Sequence, residues 1–264
     1  PEDRAGRNPG GVAATAGMNR CRWIREALLD RLKERRRHLL RQLRESTEPW
    51  GQEESLVQGV LTAPDRGWVS IASAPVPVRC RDLIWPRDGG SIPVAEDRSA
   101  PSRAFAKLTE ALERLGRGMG PGHHCVDLGA SPGGWSHVAL GRGARVTAVD
   151  RSPLRDDLMR DPRLEFIRGD AFSFRPDRPV DWLVCDVIAA PERSAAMLLE
   201  WLERSDTRWF VVTLKLKGEE DRARLAGIRR DLARLADPWF LLRLNANKGE
   251  VTAFGCRRGA EASG

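Results

Sequence analysis

From Pro101 onward, short apolar runs alternate with helical stretches, and this alternation constrains the chain more than any other feature. The runs HHCVDLGA, ARVTAVD, LEFIRGD, VDWLVCDVI and RWFVVTLKL are each followed by a helical or turn segment, and the last two apolar runs, WFLLRLN and EVTAFGCR, flank a turn over Asn245–Gly249. Strands that alternate with helices imply a mostly parallel sheet covered on both faces, and a closing hairpin adds one antiparallel strand. The expectation is an α/β, Rossmann-like doubly wound sheet of seven strands, preceded by a helix over about 102–115. No internal repeat competes with this reading.

The region before Pro101 has a different texture. Residues 1–17 show no periodicity and are expected to be disordered. From Cys21 to about Glu45 the apolar residues Trp23, Ile24, Ala27, Leu28, Leu32, Leu39, Leu40 and Leu43 recur at helical spacing with arginines between them, which predicts one long basic amphipathic helix. SLVQGVLTAP and GWVSIASAPV predict two strands around an Asp-Arg-Gly turn, and a proline-rich stretch follows. The expected organisation is a disordered 1–17, a small α+β accessory region with linker over 18–98, the α/β domain over 99–258, and a tail over 259–264. Trp23, Trp50, Trp68 and Trp85 are candidates for stacking on bases, in a chain that has no tyrosine.

Composition narrows the function classes. No run approaches the roughly 20 apolar residues of a membrane span, and no hydrophobic signal segment opens the sequence, so a cytoplasmic chain is expected, with a monomer as the default. The five cysteines form no CxxC pair, which disfavours a metal site and a disulfide framework. The net charge of +7 is compatible with a nucleic-acid partner without requiring one. Of the 44 basic residues only Lys33, Lys107, Lys215, Lys217 and Lys248 are lysines. Arginine is always protonated in a protein whereas a desolvated lysine can act as a base, so each remaining lysine is a candidate for chemistry.

The carboxyl ends of parallel strands are where open α/β sheets bind ligands. The first strand runs into Asp127-Leu128-Gly129-Ala130-Ser131-Pro132-Gly133-Gly134-Trp135, a glycine turn whose spacing differs from the dinucleotide fingerprint. The second strand ends in Asp150, suited to ribose hydroxyls, and the third in Asp170, suited to an adenine amine. These three strand ends together fit S-adenosylmethionine. Asp186 closes the fourth strand and Lys215 lies near the end of the fifth, within reach of each other; Lys107 and Glu250 can converge on the same edge. Lys217, two residues from Lys215, shares its strand face and stays an alternative.

DLGASPGGWS, the acids at Asp150, Asp170 and Asp186, TLKL around Lys215 and the acid of GEVTAF together resemble the FtsJ-type RNA ribose 2'-O-methyltransferases, over about residues 100–258. The segments APSRAFAKL and FRPDRPVDWLVCDV are most similar to the branch that methylates a cytidine ribose in bacterial 23S rRNA. The resemblance implies a class I methyltransferase fold and a tetrad of Lys107, Asp186, Lys215 and Glu250, with Lys215 as general base in preference to Lys217. It also implies a cofactor site for S-adenosylmethionine at Ser131, Pro132, Gly133, Gly134, Trp135, Asp150, Asp170 and Asp186, an RNA partner and no metal. That branch carries a longer N-terminal half with a THUMP-type RNA-binding domain, of which residues 18–98 resemble at most the end. For Lys215 to act as a base its pKa has to fall: desolvation and Lys107 favour this, while Asp186 and Glu250 oppose it. Two other classes stay open, a nicotinamide-dependent oxidoreductase and a non-catalytic RNA-binding or ribosome-assembly factor that keeps the fold.

Overall fold

Strands buried on both faces are written as continuous apolar runs rather than alternating ones, and five such runs form the centre of the sheet. The structure, a computed structural model, describes residues 16–41, 43, 54–63, 65–74, 92, 94–216 and 218–260. It divides the chain into two units, Pro1–Glu96 and Asp97–Gly264.

In the second unit, helix α3 (Phe105–Leu115) leads into β3 (His124–Leu128), α4 (Gly134–Gly141), β4 (Arg145–Asp150), the single turn α5 (Asp156–Met159) and β5 (Leu164–Arg168). There follow β6 (Val180–Cys185), α6 (Pro191–Glu203), β7 (Thr207–Lys215), α7 (Glu219–Leu235), β8 (Ala236–Leu242) and β9 (Glu250–Arg257). The seven strands lie in the order β5-β4-β3-β6-β7-β9-β8. The last strand inserts between its two predecessors and runs antiparallel to both, so the sheet is the expected doubly wound one with one antiparallel strand.

Residue parity sorts the core into two layers. Cys125, Val146, Trp182, Val184, Trp209, Val211, Phe254 and Cys256 face α3 and α4, where Leu108, Ala111, Leu112, Trp135 and Ala139 meet them. Val126, Leu128, Leu183, Cys185, Phe210, Val212 and Leu214 face α6 and α7, where Leu198, Trp201, Leu202 and Leu232 fill the other layer. Helix α3 ends where Gly116 takes a left-handed conformation, with φ of 65°, that a residue with a Cβ adopts at a cost.

The first unit holds α1 (Ala16–Arg35), the single turn α2 (Arg37–Leu40), and a two-stranded antiparallel sheet of β1 (Leu56–Ala63) and β2 (Arg66–Ala72). The helix begins at Ala16, inside the stretch expected to be disordered, and it breaks at Arg36 instead of continuing to Glu45. Its apolar residues bury nothing continuous: Trp23, Ile24 and Leu28 are all exposed. Without a packed apolar stripe among the described residues, little burial favours keeping the two helical segments collinear. Trp50 and Trp85 lie outside the described residues. No helix among the described residues is long and apolar enough to cross a membrane.

Candidate active site at the carboxyl edge of the sheet

The period-two alternation of side chains decides which groups meet above the sheet. In β7, Trp209 and Val211 face α3, so Thr213 and Lys215 share that face; in β9, Phe254 and Cys256 do, so Thr252 and Glu250 follow. The antiparallel register sets Lys215 directly opposite Glu250. In β6, Trp182 and Val184 face the same way, and the parity brings Asp186, one residue past the strand, to this side as well. Lys107 lies on the face of α3 that packs down on these strands, next to Leu108 and Ala111.

The four side chains close into a square of alternating charge. Lys107 Nζ donates to Asp186 Oδ2 at 2.9 Å and to Oδ1 at 3.1 Å, and it lies 2.5 Å from Glu250 Oε1. Lys215 Nζ donates to Asp186 Oδ1 at 2.7 Å and to Glu250 Oε2 at 3.1 Å. Each ammonium therefore bridges both carboxylates, and all four side chains are largely withdrawn from solvent. Buried charges persist only when paired and hydrogen-bonded, which this arrangement achieves.

The balance of influences on Lys215 runs against expectation. Burial pulls its pKa down, but the adjacent carboxylates of Asp186 and Glu250 outweigh it, and the ammonium is held above the ordinary lysine value. Burial likewise pushes the Glu250 carboxyl up, and the two lysines more than reverse it, leaving it below the ordinary range. Contacts of 2.7 and 3.1 Å to the two carboxylates are what tips this balance. Lys217 lies outside the described residues, so the structure places only Lys215 of the two.

Beside the square, a cleft of about 230 Å³ opens between the carboxyl ends of β3, β4, β5 and β6. Asp150 and Asp170 line it, with Gly129, Gly169, Phe172, Val187, Ile188 and Arg193 among the others. Asp150 is fixed by two backbone donors, Ser131 N–H to Oδ2 at 3.0 Å and Ser152 N–H to Oδ1 at 2.9 Å. Asp170 accepts from Phe172 N–H at 2.8 Å and from Arg151 at 2.5 Å, and these contacts hold its carboxyl below the usual range. Arg193, from the first turn of α6, lies over the Phe172 ring at 3.9 Å. Carboxylates beside an aromatic ring and aliphatic side chains suit a nucleoside, whose hydroxyls and amine need acceptors and whose flat base needs an apolar wall.

The glycine turn shapes this cleft more than it lines it. Gly133 has φ of 112° and opens α4, and Ser131, Pro132, Gly134 and Trp135 are not among the lining residues. Trp135 is core, its indole N–H donating to the Ala104 carbonyl at 2.8 Å and so tying α4 to the start of α3. Asp127, in β3 just before the same turn, accepts from the Ser136 hydroxyl at 2.7 Å, and burial pushes its carboxyl up to about 7. Sequence reasoning missed Phe172, Ile188 and Arg193. The only local signal was an aromatic residue two positions after Asp170, and nothing in the sequence shows that the first turn of α6 comes over it. No group of three or more His, Cys, Asp or Glu among the described residues is arranged to hold a metal ion.

Comparison with known proteins meets this geometry. The family model described as FtsJ-like methyltransferase matches residues 100–248. A protein named ribosomal RNA large subunit methyltransferase M from Halorhodospira halophila is 46% identical over 143 residues, which cover 52% of this chain and 42% of the relative. Its namesake from Thauera aminoaromatica is 40% identical over 163 residues, covering 60% of this chain and 43% of the relative. That from Azotobacter vinelandii is 44% identical over 146 residues, covering 53% and 40%. The chain thus spans less than half the length of these curated relatives.

Proposed function

Since the chain belongs to the FtsJ-like methyltransferase family, we propose that it transfers a methyl group from S-adenosylmethionine to a ribose 2'-hydroxyl of RNA, with a cytidine of 23S rRNA as the substrate that its similarity to the M-type methyltransferases favours. The observation that carries this reading is the closed square of Lys107, Asp186, Lys215 and Glu250 beside a cleft lined by two strand-end carboxylates. A dinucleotide-dependent oxidoreductase would have no use for two lysines and two carboxylates bridged in this way, and an assembly factor would gain nothing from burying four charges.

The residues present fit the cofactor. Asp150 would accept from ribose hydroxyls and Asp170 from an adenine amine, with Phe172, Val187 and Ile188 beside the base and the turn from Ser131 to Trp135 shaping the approach. When bound there, S-adenosylmethionine supplies a methyl group already activated on a sulfonium sulfur. The protein's own task is to hold the acceptor oxygen in line and to take its proton.

Lys215 is the proposed base, and it starts from the charged form. The amine becomes available when its proton leaves to solvent and RNA then covers the site, because the added desolvation favours the neutral amine. Asp186 and Glu250 orient that amine and stabilise the ammonium that it becomes on taking the hydroxyl proton. Lys107 holds the two carboxylates in place from the α3 side. The basic first unit, with Arg35, Arg36 and Arg37 where the helix breaks, is proposed to contribute phosphate contacts.

The test is transfer from labelled S-adenosylmethionine to bacterial 23S rRNA, wild type beside Lys215→Ala and Lys215→Arg, with nuclease digestion to identify the product. A 2'-O-methylated cytidine that disappears in both variants, while calorimetric cofactor affinity stays within about twofold, is the expected result. Turnover retained in Lys215→Arg would remove the base assignment, and methylation on a base instead of a ribose would remove the reaction.

A further inference from the structure

Glu110 stands on α3 one turn after Lys107 and is fully buried, a costly place for a carboxylate among Leu108, Ala111 and Leu112. Arg114 donates to its Oε1 through Nε at 3.0 Å and through a terminal nitrogen at 2.7 Å. Its other oxygen, Oε2, accepts the backbone N–H of Asn245 at 2.8 Å. Asn245 opens the turn between β8 and β9, which delivers Glu250 to the lysines five residues later. Within that turn the buried Asn247 donates its side-chain amide to the Glu250 carbonyl at 3.2 Å and to the Thr252 hydroxyl at 3.1 Å. The turn is also joined to β7 by the Leu216 N–H, which donates to the Gly249 carbonyl at 2.9 Å.

Helix α3 thus grips the β8–β9 turn at two points one helical turn apart, Lys107 at the Glu250 carboxylate and Glu110 at the Asn245 backbone. We propose that Glu110, with Asn247, is a positioning residue of the reaction: the pair braces the β8–β9 turn so that the Glu250 carboxylate faces both Lys107 and Lys215. A helix that needed only to pack would carry an apolar residue at this buried position. A carboxylate there can instead bind a backbone N–H at a fixed distance, which sets the height of the turn above the sheet. The chemistry affected rests on the methyl-transfer reading above, whereas the brace itself does not.

The experiment therefore has an arm that requires no turnover. The chain has five lysines, so labelling lysine side chains with ¹³C at Cε gives a spectrum simple enough to titrate, with Lys215 assigned by its loss in Lys215→Arg. The groups facing the Lys215 ammonium are Asp186 from β6, Glu250 from β9 and Lys107 from α3. If Glu250 drifts away, Lys215 loses one of the two carboxylates that hold its pKa up. In Glu110→Gln, and independently in Asn247→Ala, Lys215 is expected to titrate at lower pH than in the wild type. kcat for methyl transfer should drop about tenfold or more with the KM for S-adenosylmethionine unchanged, since small displacements at a reacting centre are amplified in rate. A folded variant with unshifted Lys215 titration and normal kcat would overturn the brace, leaving Glu110 a packing residue. Shifted titration together with a wild type that transfers no methyl group to RNA would keep the brace and remove the reaction proposed for the site. If Glu110→Gln does not fold, the Asn247→Ala result decides.

Discussion

Lys215 and Asp127 show how the same burial has opposite outcomes for two charges. Lys215 has carboxylates on two sides and is held charged despite being largely withdrawn from water. Asp127 is fully buried with only Ser136 as a short-range donor, and its carboxyl is pushed up to about 7. An unfolded aspartate has its ordinary value near 3.8, so between that pH and about 7 the folded state holds a proton that the unfolded chain releases. Stability supplied by this residue is therefore full below about pH 4, declines as pH rises, and is spent once the folded carboxyl ionises. Asp127→Asn, which cannot ionise and still accepts from Ser136, should remove that decline: relative to wild type it gains on the order of a few kcal/mol between pH 4 and pH 8. Denaturant unfolding of both proteins across that range measures the difference. Parallel stability curves would show that Asp127 is already ionised in the fold at pH 5.

At the scale of elements, the central strands were legible because burial on both faces writes them as uninterrupted apolar runs, and even the antiparallel β9 is set off by the turn before it. The meeting of Asp186 and Lys215 was legible from strand ends alone. Lys107 and Glu250 could be brought to the same edge from their places in the chain, but their roles beside Asp186 and Lys215 came from the resemblance, since spacing does not report how the helix carrying Lys107 lies on a sheet. The direction of the Lys215 shift was not legible, because it is a difference between opposing effects set by distances of 2.7 and 3.1 Å. The α3 clamp on the β8–β9 turn was invisible for the same reason: a glutamate on a helix reads as solvent-facing. The glycine turn offers a direct check of element-level strain. A Cβ on Gly133 would lie 2.3 Å from a Leu158 methyl at φ of 112°, whereas one on Gly141, at the other end of α4, meets nothing within 4 Å. Gly133→Ala should cost about 1–3 kcal/mol and weaken cofactor binding by shifting the Ser131 N–H away from Asp150. Gly141→Ala should be neutral or stabilise by up to about 1 kcal/mol. Thermal melts and calorimetry on the pair separate backbone strain from a general intolerance of α4.

At the scale of the molecule, the two units differ in what holds them together. The second unit has two apolar layers with Trp182, Trp201, Phe210 and Phe254 fully buried. In the first, the stretch 16–74 has no buried side chain among its described residues, and the β1–β2 sheet has only two strands. Its register pairs Val57 with Ile71, Gly59 with Val69 and Leu61 with Gly67, so one face has no polar side chain, and Val57, Val69 and Ile71 on it are 60%, 76% and 69% exposed. Two strands that have no third strand or covering helix among the described residues are marginal in water, since ladder hydrogen bonds that stay open to solvent contribute little. Native-state hydrogen exchange should therefore separate the units. Amides of β6 and β7 are expected to exchange only through global unfolding, whereas those between Val57 and Ile71 should open at a cost of no more than about 2 kcal/mol. Adding S-adenosylmethionine should raise protection around Asp150 and Asp170 and leave the hairpin unchanged, because a ligand stabilises only what it binds in the folded state. Hairpin amides as slow as those of β6 would show instead that its apolar face is covered in solution, and the protection of the covering residues would then identify what lies on it.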